Sequence, residues 1–430
     1  MSNSLTIQPA AGPVRGTVRP PGSKSITNRA LVCAALAAGE STLHGTLDSE
    51  DTRVMVDGLQ TLGIAIAGEL GTRPVRVTGC GGRLDCRHAE VFAANSGTTM
   101  RFLTALVCAG QGEYRLDGVP RMRQRPIFDL VEALRQLNVD ARCETDGKCP
   151  PVSIRSTGLP GGRAQMRGDI SSQYLSALLM VAPTAAARVE IELVGPLVSK
   201  PYVDMTIAVM ESFGVCVDQS DPGRLQIDAP QTYQACDYAI EPDASAASYF
   251  WAAAAITAGE VTIAGLSQHS LQGDVRFCQC LARMGCDVDY GSDAITVRGG
   301  TLRGIDVDMN QISDTVQTLA VVALFADGPT TIRGVAHIRH KETDRIGDLA
   351  CELRKLGARV DERKDGLQIV PGVVRAAEIK TYDDHRMAMS LALAGLKVTG
   401  VTILNPGCTA KTYPEFFADL SGLVHPTERG

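Results

Sequence analysis

The sequence lacks the features that mark membrane, secreted and nucleic-acid-binding proteins. No apolar run approaches the roughly eighteen residues that a membrane-spanning helix needs. Residues 1–16 lack the charged start and the apolar stretch of a signal peptide. The net charge of −6 argues against a nucleic-acid-binding surface, so any anion-binding patch must be local. We therefore expect a cytoplasmic protein that binds neither membranes nor nucleic acids.

Motifs for metal, nucleotide and covalent serine chemistry are also missing. The thirteen cysteines are scattered, and the close groups at residues 86–88 and 278–280 have no second half at zinc-site spacing. Reduced thiols and no bound metal are expected. The sequence has no glycine-rich dinucleotide fingerprint, no HExxH pattern and no G-x-S-x-G nucleophile elbow. What remains is an addition or transfer reaction without a cofactor, run by acid–base groups and electrostatics.

Internal repetition is what the sequence has in abundance. A polar start followed by a helical run rich in Ala, Leu, Val and Met occurs six times, roughly 70 residues apart. The starts carry the hydroxyl, amide and carboxylate groups that cap helices, and the runs are apolar on nearly all faces, as buried helices are. The six starts lie at residues 22–29, 95–101, 168–173, 243–246, 310–314 and 383–386.

The stretches that follow these helices repeat as well. An alternating strand, such as residues 113–118, precedes an amphipathic helix that closes on Gly or Asn, such as residues 130–138 and 349–357. Further strands come next. The repeated unit therefore reads strand, helix, strand, helix, strand, strand.

Six copies of this unit predict an α/β fold with two domains of three βαβαββ repeats each, buried helices inside and sheets outside. The length of 430 residues agrees, because it exceeds what one core accommodates. We expect the first domain over residues 21–240. We expect the second over residues 241–430 together with residues 1–20, whose strand near residues 5–7 can complete it.

Nine basic residues lie at the helix starts or in loops near them. A single arginine in a loop is normally solvated. Nine basic residues at corresponding positions of a repeat instead indicate a shared function. If the repeats face each other across a cleft, these cations would converge on a ligand with several phosphate or carboxylate groups. They are Lys24, Arg29, Arg101, Arg125, Lys200, Lys341, Arg345, Arg386 and Lys411.

The first helix start, Gly22-Ser23-Lys24-Ser25, is open to two interpretations. It is either a solvated, well-capped helix start or an anion site in which free backbone N–H groups are joined by Lys24, Ser25 and Arg29. A Walker-type nucleotide loop is disfavoured, because Ser23 rather than glycine precedes Lys24.

The densest charge cluster, Lys341-Glu342-Thr343-Asp344-Arg345, is also open to two interpretations. It could be a capping box with i,i+4 pairing at the start of a helix over residues 344–356. Alternatively, Lys341 and Arg345 bind an anion and Glu342 is an acid or base. Asp314, at the mouth of a buried helix, could simply cap that helix. Alternatively, it would stay ionised among cations and could accept a proton. His385 fits a structural role at least as well as a functional one.

The motifs at these junctions occur in an order that resembles one known family. They are Pro21-Gly22-Ser23-Lys24-Ser25 with Arg29, Asn95-Ser96-Gly97-Thr98 with Arg101, Arg121-Met122-Arg123-Gln124-Arg125-Pro126, Ser171-Ser172-Gln173, Ser199-Lys200-Pro201-Tyr202, Asp314, Lys341-Glu342-Thr343-Asp344-Arg345, Asp384-His385-Arg386 and Lys411. Over essentially its whole length the chain resembles the 5-enolpyruvylshikimate-3-phosphate (EPSP) synthases. The resemblance implies the enolpyruvyl transferase fold, an inside-out α/β barrel in two domains around an interdomain cleft.

The resemblance also implies the reaction. The enolpyruvyl group of phosphoenolpyruvate would pass to the 5-hydroxyl of shikimate 3-phosphate, with release of phosphate, on the shikimate pathway to chorismate and aromatic amino acids. The mechanism would be a metal-free addition–elimination in a monomer that the inhibitor glyphosate targets. Asp314 would accept the hydroxyl proton and Glu342 would protonate the methylene carbon, with Lys24 as a competing acid.

By the same resemblance, two groups of residues would bind the substrates. Shikimate 3-phosphate would contact Lys24, Ser25, Arg29, Ser171, Ser172, Gln173, Ser199, Tyr202, Asp314, His337 and Lys341. Phosphoenolpyruvate would contact Lys24, Gly97, Arg125, Gln173, Arg345, Arg386 and Lys411.

Two positions depart from the family pattern, and two rival functions are disfavoured. His337 stands where asparagine is common, which introduces a pH dependence. Phe102 stands where some members carry proline, which leaves the response to glyphosate open.

UDP-N-acetylglucosamine enolpyruvyl transferase shares the repeats but uses a loop cysteine, and residues 116–125 contain none. A non-catalytic anion-binding scaffold would not require Asp314 and Glu342.

Overall fold

The computed structural model describes residues 3–221 and 223–425, and the chain divides into two compact units. Unit 1 comprises Met1–Pro21 and Glu241–Gly430, and unit 2 comprises Gly22–Ile240. Residues 1–2 and 426–430, which belong to the predicted second domain, and residue 222 lie outside the described residues. Within the described ranges, no helix has the length and apolar character needed to cross a membrane.

Regular structure alternates along the whole chain. The helices are α1 (Lys24–Leu36), α2 (Glu50–Thr61), α3 (Gly97–Leu106), α4 (Phe128–Gln136), α5 (Ser172–Val181), α6 (Lys200–Ser212), α7 (Ala244–Thr257), α8 (Phe277–Met284), α9 (Val316–Val322), α10 (Gly347–Lys355), α11 (His385–Ala392) and α12 (Phe416–Val424). The strands are β1 (Ser4–Thr6), β2 (Arg15–Val18), β3 (Glu40–His44), β4 (Ala65–Ala67), β5 (Val75–Thr78), β6 (His88–Phe92), β7 (Gln111–Asp117), β8 (Asp140–Cys143), β9 (Val152–Thr157), β10 (Gly162–Arg167), β11 (Val189–Val194), β12 (Asp218–Asp221), β13 (Arg224–Ile227), β14 (Asp237–Ala239), β15 (Glu260–Ala264), β16 (Asp287–Tyr290), β17 (Ala294–Arg298), β18 (Asp306–Asp308), β19 (Thr330–Arg333), β20 (Arg359–Arg363), β21 (Gly366–Val370), β22 (Ala377–Ile379) and β23 (Val401–Leu404).

Unit 2 contains three four-stranded sheets of the same design. Their orders are β14-β3-β5-β4, β6-β7-β9-β8 and β10-β11-β13-β12. In each sheet the first two strands are parallel and the other pairs are antiparallel. A buried helix makes the crossover between two parallel strands, as α3 does between β6 and β7. In the first sheet the edge strand is β14, from the far end of the unit, so the last strand of the unit closes on its first repeat.

Unit 1 follows the same plan with one difference. Its sheets are β2-β15-β17-β16, β18-β19-β21-β20 and the three-stranded β1-β23-β22. The sixth repeat has no closing hairpin within the described residues, and β1 pairs antiparallel with β23 in that place. β2 supplies the strand parallel to β15. The predicted α/β repeats and fold class are confirmed, although the last repeat is shorter than expected.

The six buried helices are α1, α3, α5, α7, α9 and α11. Each is surrounded by apolar side chains, and every residue of α7, for example, is buried. In unit 2 the helix N-termini are capped by serine hydroxyls, Ser23, Ser96 and Ser171, each of which accepts a backbone N–H bond. In unit 1 the caps of α7 and α11 are the carboxylates Asp243 and Asp384. This contrast sets the charge around each group of helix starts.

Some predicted boundaries are wrong. The helices expected at residues 130–138 and 349–357 each begin and end two residues earlier, at α4 and α10. The helix expected over residues 344–356 begins at Gly347 instead, so the cluster that starts at Lys341 is not a capping box inside a helix. Asp344 Oδ1 accepts from the N–H groups of Ile346 and Gly347, both at 3.1 Å, and thereby caps the first turn of α10.

Candidate active site

Most candidate residues occupy two positions of the repeat. One is the start of the buried helix, and the other is the segment that joins the next strand to the amphipathic helix. Both positions lie at chain reversals, where backbone donors and long side chains can be aimed at a ligand. The second position carries Asp51, Arg125, Ser199, Asp274, Lys341, Glu342, Arg345 and Lys411.

In unit 2, Lys24 begins α1 and pairs with Asp51. The distance from Lys24 Nζ to Asp51 Oδ2 is 3.0 Å, and both side chains are largely shielded from solvent. The exposed, solvated ammonium of the alternative interpretation is therefore wrong. The sequence reasoning missed Asp51. Its place in the first turn of α2, shortly after β3 and near the repeat position that Arg125 occupies after β7, is the signal that could have identified it.

Arg29 lies one turn further along α1 and is buried. Its guanidinium donates to Thr206 Oγ1 at 2.7 Å and to the carbonyls of Ser25 at 2.8 Å and Tyr202 at 3.2 Å. It also stands over the Phe102 ring, 5.3 Å from the centroid. Burial lowers the pKa of Arg29 to about 10, so the side chain is still a cation at neutral pH. Arg29 thus joins α1 to α6 and brings Ser25 and Tyr202 together.

Gly97 is the first residue of α3 and lies against two arginines. A Cβ built there would stand 2.5 Å from Arg125 Nη2 and 2.7 Å from Arg101 Nη1. Arg125 donates to the carbonyl of Asn95 at 3.1 Å, and Arg101 donates to the carbonyls of Gly97 and Pro126. Both guanidinium groups are buried and are bonded to neutral oxygens, so their positive charge is not neutralised by these contacts.

The remaining unit 2 candidates lie around the starts of α5 and α6. Ser171 caps α5 and Ser172 is buried. Gln173 donates to Thr98 Oγ1 at 3.3 Å, which joins α5 to α3 beside Gly97. Ser199 precedes α6 with left-handed φ and ψ angles of 53° and 41°. Lys200, by contrast, pairs with exposed Asp204 on the same helix and is a solvated surface residue.

In unit 1, Asp314 is surrounded by three cations. Its Oδ1 atom is 2.5 Å from Lys341 Nζ and 3.5 Å from Arg345 Nη1, and its Oδ2 atom is 2.8 Å from Arg386 Nη2. Burial by itself would raise the pKa of the Asp314 carboxyl, but Arg386, Lys341 and Arg345 hold it well below its usual range. Burial lowers the pKa of Lys341 in spite of this pairing. The Asp314 carboxylate is therefore ionised and largely shielded from solvent.

Arg345 is the centre of a second carboxylate group. Its Nε and Nη2 atoms donate to Asp384 at 2.7 and 3.0 Å, and Nη2 lies 2.9 Å from Glu342 Oε2. Lys411 Nζ is 3.1 Å from Glu342 Oε1. The Asp384 and Glu342 carboxylates raise the pKa of Arg345 although burial opposes this, so the guanidinium is permanently charged. Asp384 also accepts the backbone N–H of Arg386, which fixes the start of α11.

His337 lies half-buried in the turn before Lys341. Burial, together with the nearby Lys341 ammonium, lowers its pKa to about 3. The imidazole is therefore neutral at physiological pH and can donate one hydrogen bond, as asparagine could. The pH dependence that the sequence predicts for His337 therefore does not fall near neutral pH. His385 is buried within α11, with Nδ1 3.8 Å from Asp384 Oδ1.

Two further residues of unit 1 were not singled out from the sequence. The Tyr249 hydroxyl accepts from Arg386 Nη1 at 3.5 Å, and burial raises its pKa to about 12. Asp274 accepts from the Ser245 hydroxyl, and burial together with the Asp314 charge raises its pKa to about 6. Asp274 occupies the same repeat position as Asp51 and Lys341, and that position is the signal for it.

Comparison with known proteins gives one consistent family. A model of the family described as EPSP synthase (3-phosphoshikimate 1-carboxyvinyltransferase) matches residues 9–420. A 3-phosphoshikimate 1-carboxyvinyltransferase from Trichormus variabilis is 48% identical over 416 residues, which cover 96% of this chain and 98% of that protein. One from Photobacterium profundum is 47% identical over 426 residues, or 98% and 99% of the two chains.

Solved structures give the same result for the fold. An EPSP synthase from Acinetobacter baumannii superposes with a TM-score of 0.82 at 25% identity and covers 97% of both chains. The enolpyruvyl transferase NikO from Streptomyces tendae has a TM-score of 0.77 at 22% identity over 98% of this chain and 97% of its own. The second similarity concerns the fold alone.

Proposed function

Because the chain belongs to the EPSP synthase family, we propose that the carboxylates and cations described above are the residues that carry out the family reaction. The enzyme transfers the enolpyruvyl group of phosphoenolpyruvate to the 5-hydroxyl of shikimate 3-phosphate and releases phosphate, a step of the shikimate pathway. The observation that carries our assignment is the ionised Asp314 among Lys341, Arg345 and Arg386.

In the addition step, Asp314 takes the proton of the 5-hydroxyl while the hydroxyl oxygen forms a bond to C2 of phosphoenolpyruvate. C3, the methylene carbon, receives a proton and becomes a methyl group. Glu342 is the proposed donor, and the Lys411 ammonium at 3.1 Å is placed to supply it with a proton. Lys24 is the competing acid. The positive charges stabilise the phosphate and carboxylate of the adduct.

In the elimination step, a proton leaves the new methyl group and the bond from C2 to the phosphate oxygen breaks. The double bond re-forms, and inorganic phosphate departs with the proton that Asp314 had accepted. The Glu342 carboxylate, left without its proton by the addition step, is the proposed base, and it stays within reach of Arg345 and Lys411. The step needs no metal or redox cofactor for its atoms and charges to balance.

The two substrates are assigned to two overlapping sets of residues. We assign phosphoenolpyruvate to the arginines and lysines, because bidentate guanidinium groups fit carboxylates and phosphates. These contacts are Lys24, Gly97, Arg125 and Gln173 in unit 2 and Arg345, Arg386 and Lys411 in unit 1. We assign shikimate 3-phosphate to Lys24, Ser25, Arg29, Ser171, Ser172, Gln173, Ser199 and Tyr202 in unit 2 and to Asp314, His337 and Lys341 in unit 1.

Arg29 has a different role within this assignment. Four of its hydrogen bonds go to protein groups, so it orients Ser25 and Tyr202 in addition to adding charge. The two units defined above would then be the two domains predicted from the sequence, each supplying its own set of contacts.

Phosphate release is the test of the assigned reaction. Purified protein is mixed with phosphoenolpyruvate and shikimate 3-phosphate, each substrate is omitted in turn, and UDP-N-acetylglucosamine replaces the acceptor in a further control. Release only with shikimate 3-phosphate is expected. Release with the UDP sugar would favour the other enolpyruvyl transferase. A folded protein that releases no phosphate with either acceptor would favour the non-catalytic scaffold.

Three finer expectations from the resemblance are also proposals. We propose that the enzyme is a cytoplasmic monomer and that glyphosate inhibits it in competition with phosphoenolpyruvate. Gly97 supports the last point, because the absence of a Cβ leaves room beside the Arg125 and Arg101 guanidinium groups. Light scattering on a gel-filtration column, cell fractionation and an inhibition series at varied phosphoenolpyruvate test the three in turn.

A further inference from the structure

A left-handed turn of two residues precedes α11. Tyr382 and Asp383 have φ angles of 55° and 57°, in a region that residues other than glycine rarely adopt. Two such residues in succession are more unusual still. The next residue, Asp384, caps α11 and binds Arg345, so the turn stands directly before a residue of the candidate site. Such strain persists only where the surroundings impose it.

The side chain of Tyr382 is held at two points. Its hydroxyl donates to Glu352 Oε1 at 2.7 Å, and the Lys380 ammonium lies 4.8 Å from the centroid of its ring. Burial and the Glu352 carboxylate raise the pKa of Tyr382, which therefore remains a hydrogen-bond donor. Asp383 contributes a further contact, since its Oδ1 accepts from Asn405 Nδ2 at 3.2 Å.

Glu352 is a fully buried carboxylate that the proposed mechanism does not use. Besides the Tyr382 hydroxyl, it accepts from Lys355 Nζ at 2.7 Å and from the backbone N–H of Lys380 at 3.1 Å. A carboxylate without exposure requires such a set of donors. With three donors from two segments, Glu352 is a fixed anchor rather than a mobile side chain.

The anchor and the site belong to the same two segments of chain. Glu352 lies on α10, which begins two residues after Arg345, and Tyr382 lies two residues before Asp384. The contacts from Glu352 to Tyr382 and from Arg345 to Asp384 therefore link these segments twice. Without the hydrogen bond from Tyr382 to Glu352, the strained turn would relax and Asp384 would shift. Because Asp384 binds Arg345 and caps α11, both Arg345 and Arg386 at the start of α11 would then move.

We propose that Tyr382, anchored by Glu352, is a positioning residue for enolpyruvyl transfer: it holds the left-handed turn that sets Asp384 against Arg345 and aims Arg386. The proposal rests on the proposed function, in which Arg345 and Arg386 bind phosphoenolpyruvate. It predicts a selective effect on phosphoenolpyruvate, because Tyr382 touches neither substrate and acts only through these two arginines.

Steady-state kinetics of Tyr382→Phe test the proposal. The variant loses the hydroxyl but keeps the ring under Lys380. We expect the KM for phosphoenolpyruvate to rise about tenfold, with an unchanged Kd for shikimate 3-phosphate measured by calorimetry. Asp383→Asn in the Tyr382→Phe background should restore much of the lost affinity, because asparagine accepts the left-handed conformation more readily and keeps its acceptor for Asn405. Tyr290→Phe, which removes a buried hydroxyl elsewhere in unit 1, is the matched control.

Two results would overturn the proposal. One is an unchanged KM for phosphoenolpyruvate in Tyr382→Phe. The other is a loss of melting temperature and of kcat alone, without rescue by Asp383→Asn, which would make the residue merely structural. Failure of the proposed function looks different, since wild-type protein would then release no phosphate. In that case a crystal structure of Tyr382→Phe decides: an unmoved turn with Asp384 still on Arg345 refutes the positioning role.

Discussion

The cations of the two units are balanced in different ways. In unit 2, Lys24 pairs with Asp51, but Arg29, Arg101 and Arg125 donate to neutral acceptors, mostly backbone carbonyls, and the caps of the buried helices are serine hydroxyls. In unit 1, Lys341, Arg345, Arg386 and Lys411 are paired with the carboxylates Asp314, Glu342 and Asp384. Neutral acceptors orient a guanidinium without cancelling its charge. Carboxylates cancel the charge and can also exchange protons.

Because of this difference, the two units suit different parts of the proposed reaction. Charge that is left over suits the binding of a multiply charged anion, and that is the character of unit 2. Charge that is balanced by carboxylates suits proton transfer, because a carboxylate can take up and release a proton, and that is the character of unit 1. The same repeat thus serves two purposes through the choice between hydroxyl and carboxylate at equivalent positions.

The largest effect should come from removing the proton acceptor of unit 1. Asp314→Asn keeps the shape of the side chain but not its basicity, so we expect kcat to fall by about 10²–10⁴-fold. Binding of shikimate 3-phosphate should persist or tighten, because three cations lose an intramolecular partner. Single-turnover phosphate release and calorimetry separate the two effects. Exposed Asp289→Asn is the control, and unchanged turnover in Asp314→Asn would exclude this residue from the mechanism.

A stability comparison tests the balance of charge directly. Arg345→Met leaves the fully buried Asp384 carboxylate without its main partner and should cost about 3–5 kcal/mol of unfolding free energy. Arg125→Met leaves only a backbone carbonyl of Asn95 and should cost about 1 kcal/mol. Urea unfolding followed by circular dichroism measures both. Equal losses would show that the two units do not differ as described.

A smaller effect on activity is expected at Gly97, whose missing Cβ leaves room beside Arg125 and Arg101. In Gly97→Ala the added Cβ meets the ends of Arg125 and Arg101, which are flexible and can move aside. The KM for phosphoenolpyruvate should therefore rise about tenfold while the fold is retained. Gly422→Ala, at an open position of α12, makes the same chemical change away from the candidate site and serves as the control. An unchanged KM would remove Gly97 from the proposed contacts.

The smallest effect concerns His337. Its pKa of about 3 in the folded protein lies below the ordinary value of 6.5, so the unfolded chain takes up the proton first as the pH falls. The imidazole therefore lowers stability progressively from pH 6.5 towards pH 3 and has no such effect above this window. His337→Asn should flatten that part of the stability profile and alter stability at pH 7 by less than about 1 kcal/mol. A difference in the activity profiles that titrates near pH 7 would contradict this.

The repeat itself could be read from the sequence. Six apolar helices with polar starts, and amphipathic helices such as those near residues 130–138 and 349–357, follow from residue spacing, because burial on all faces and burial on one face leave different patterns. The start of α10 near residue 344 was misplaced. Asp344 caps it locally through the N–H groups of Ile346 and Gly347, and Arg345 beside it pairs with Asp384. That contact joins segments 39 residues apart, and local propensity contains no trace of it.

What the sequence determined by itself was the α/β repeat, the family, and the identity of the cations at the helix starts. These depend on local pattern and on the order of motifs along the chain. Only the tertiary structure decided which cations are paired with carboxylates, as Lys24 is with Asp51 and Lys341 with Asp314, and which donate to neutral carbonyls, as Arg29 and Arg125 do. The physical reason is that pKa values and charge balance depend on distance and burial in space, and residues far apart in sequence set both.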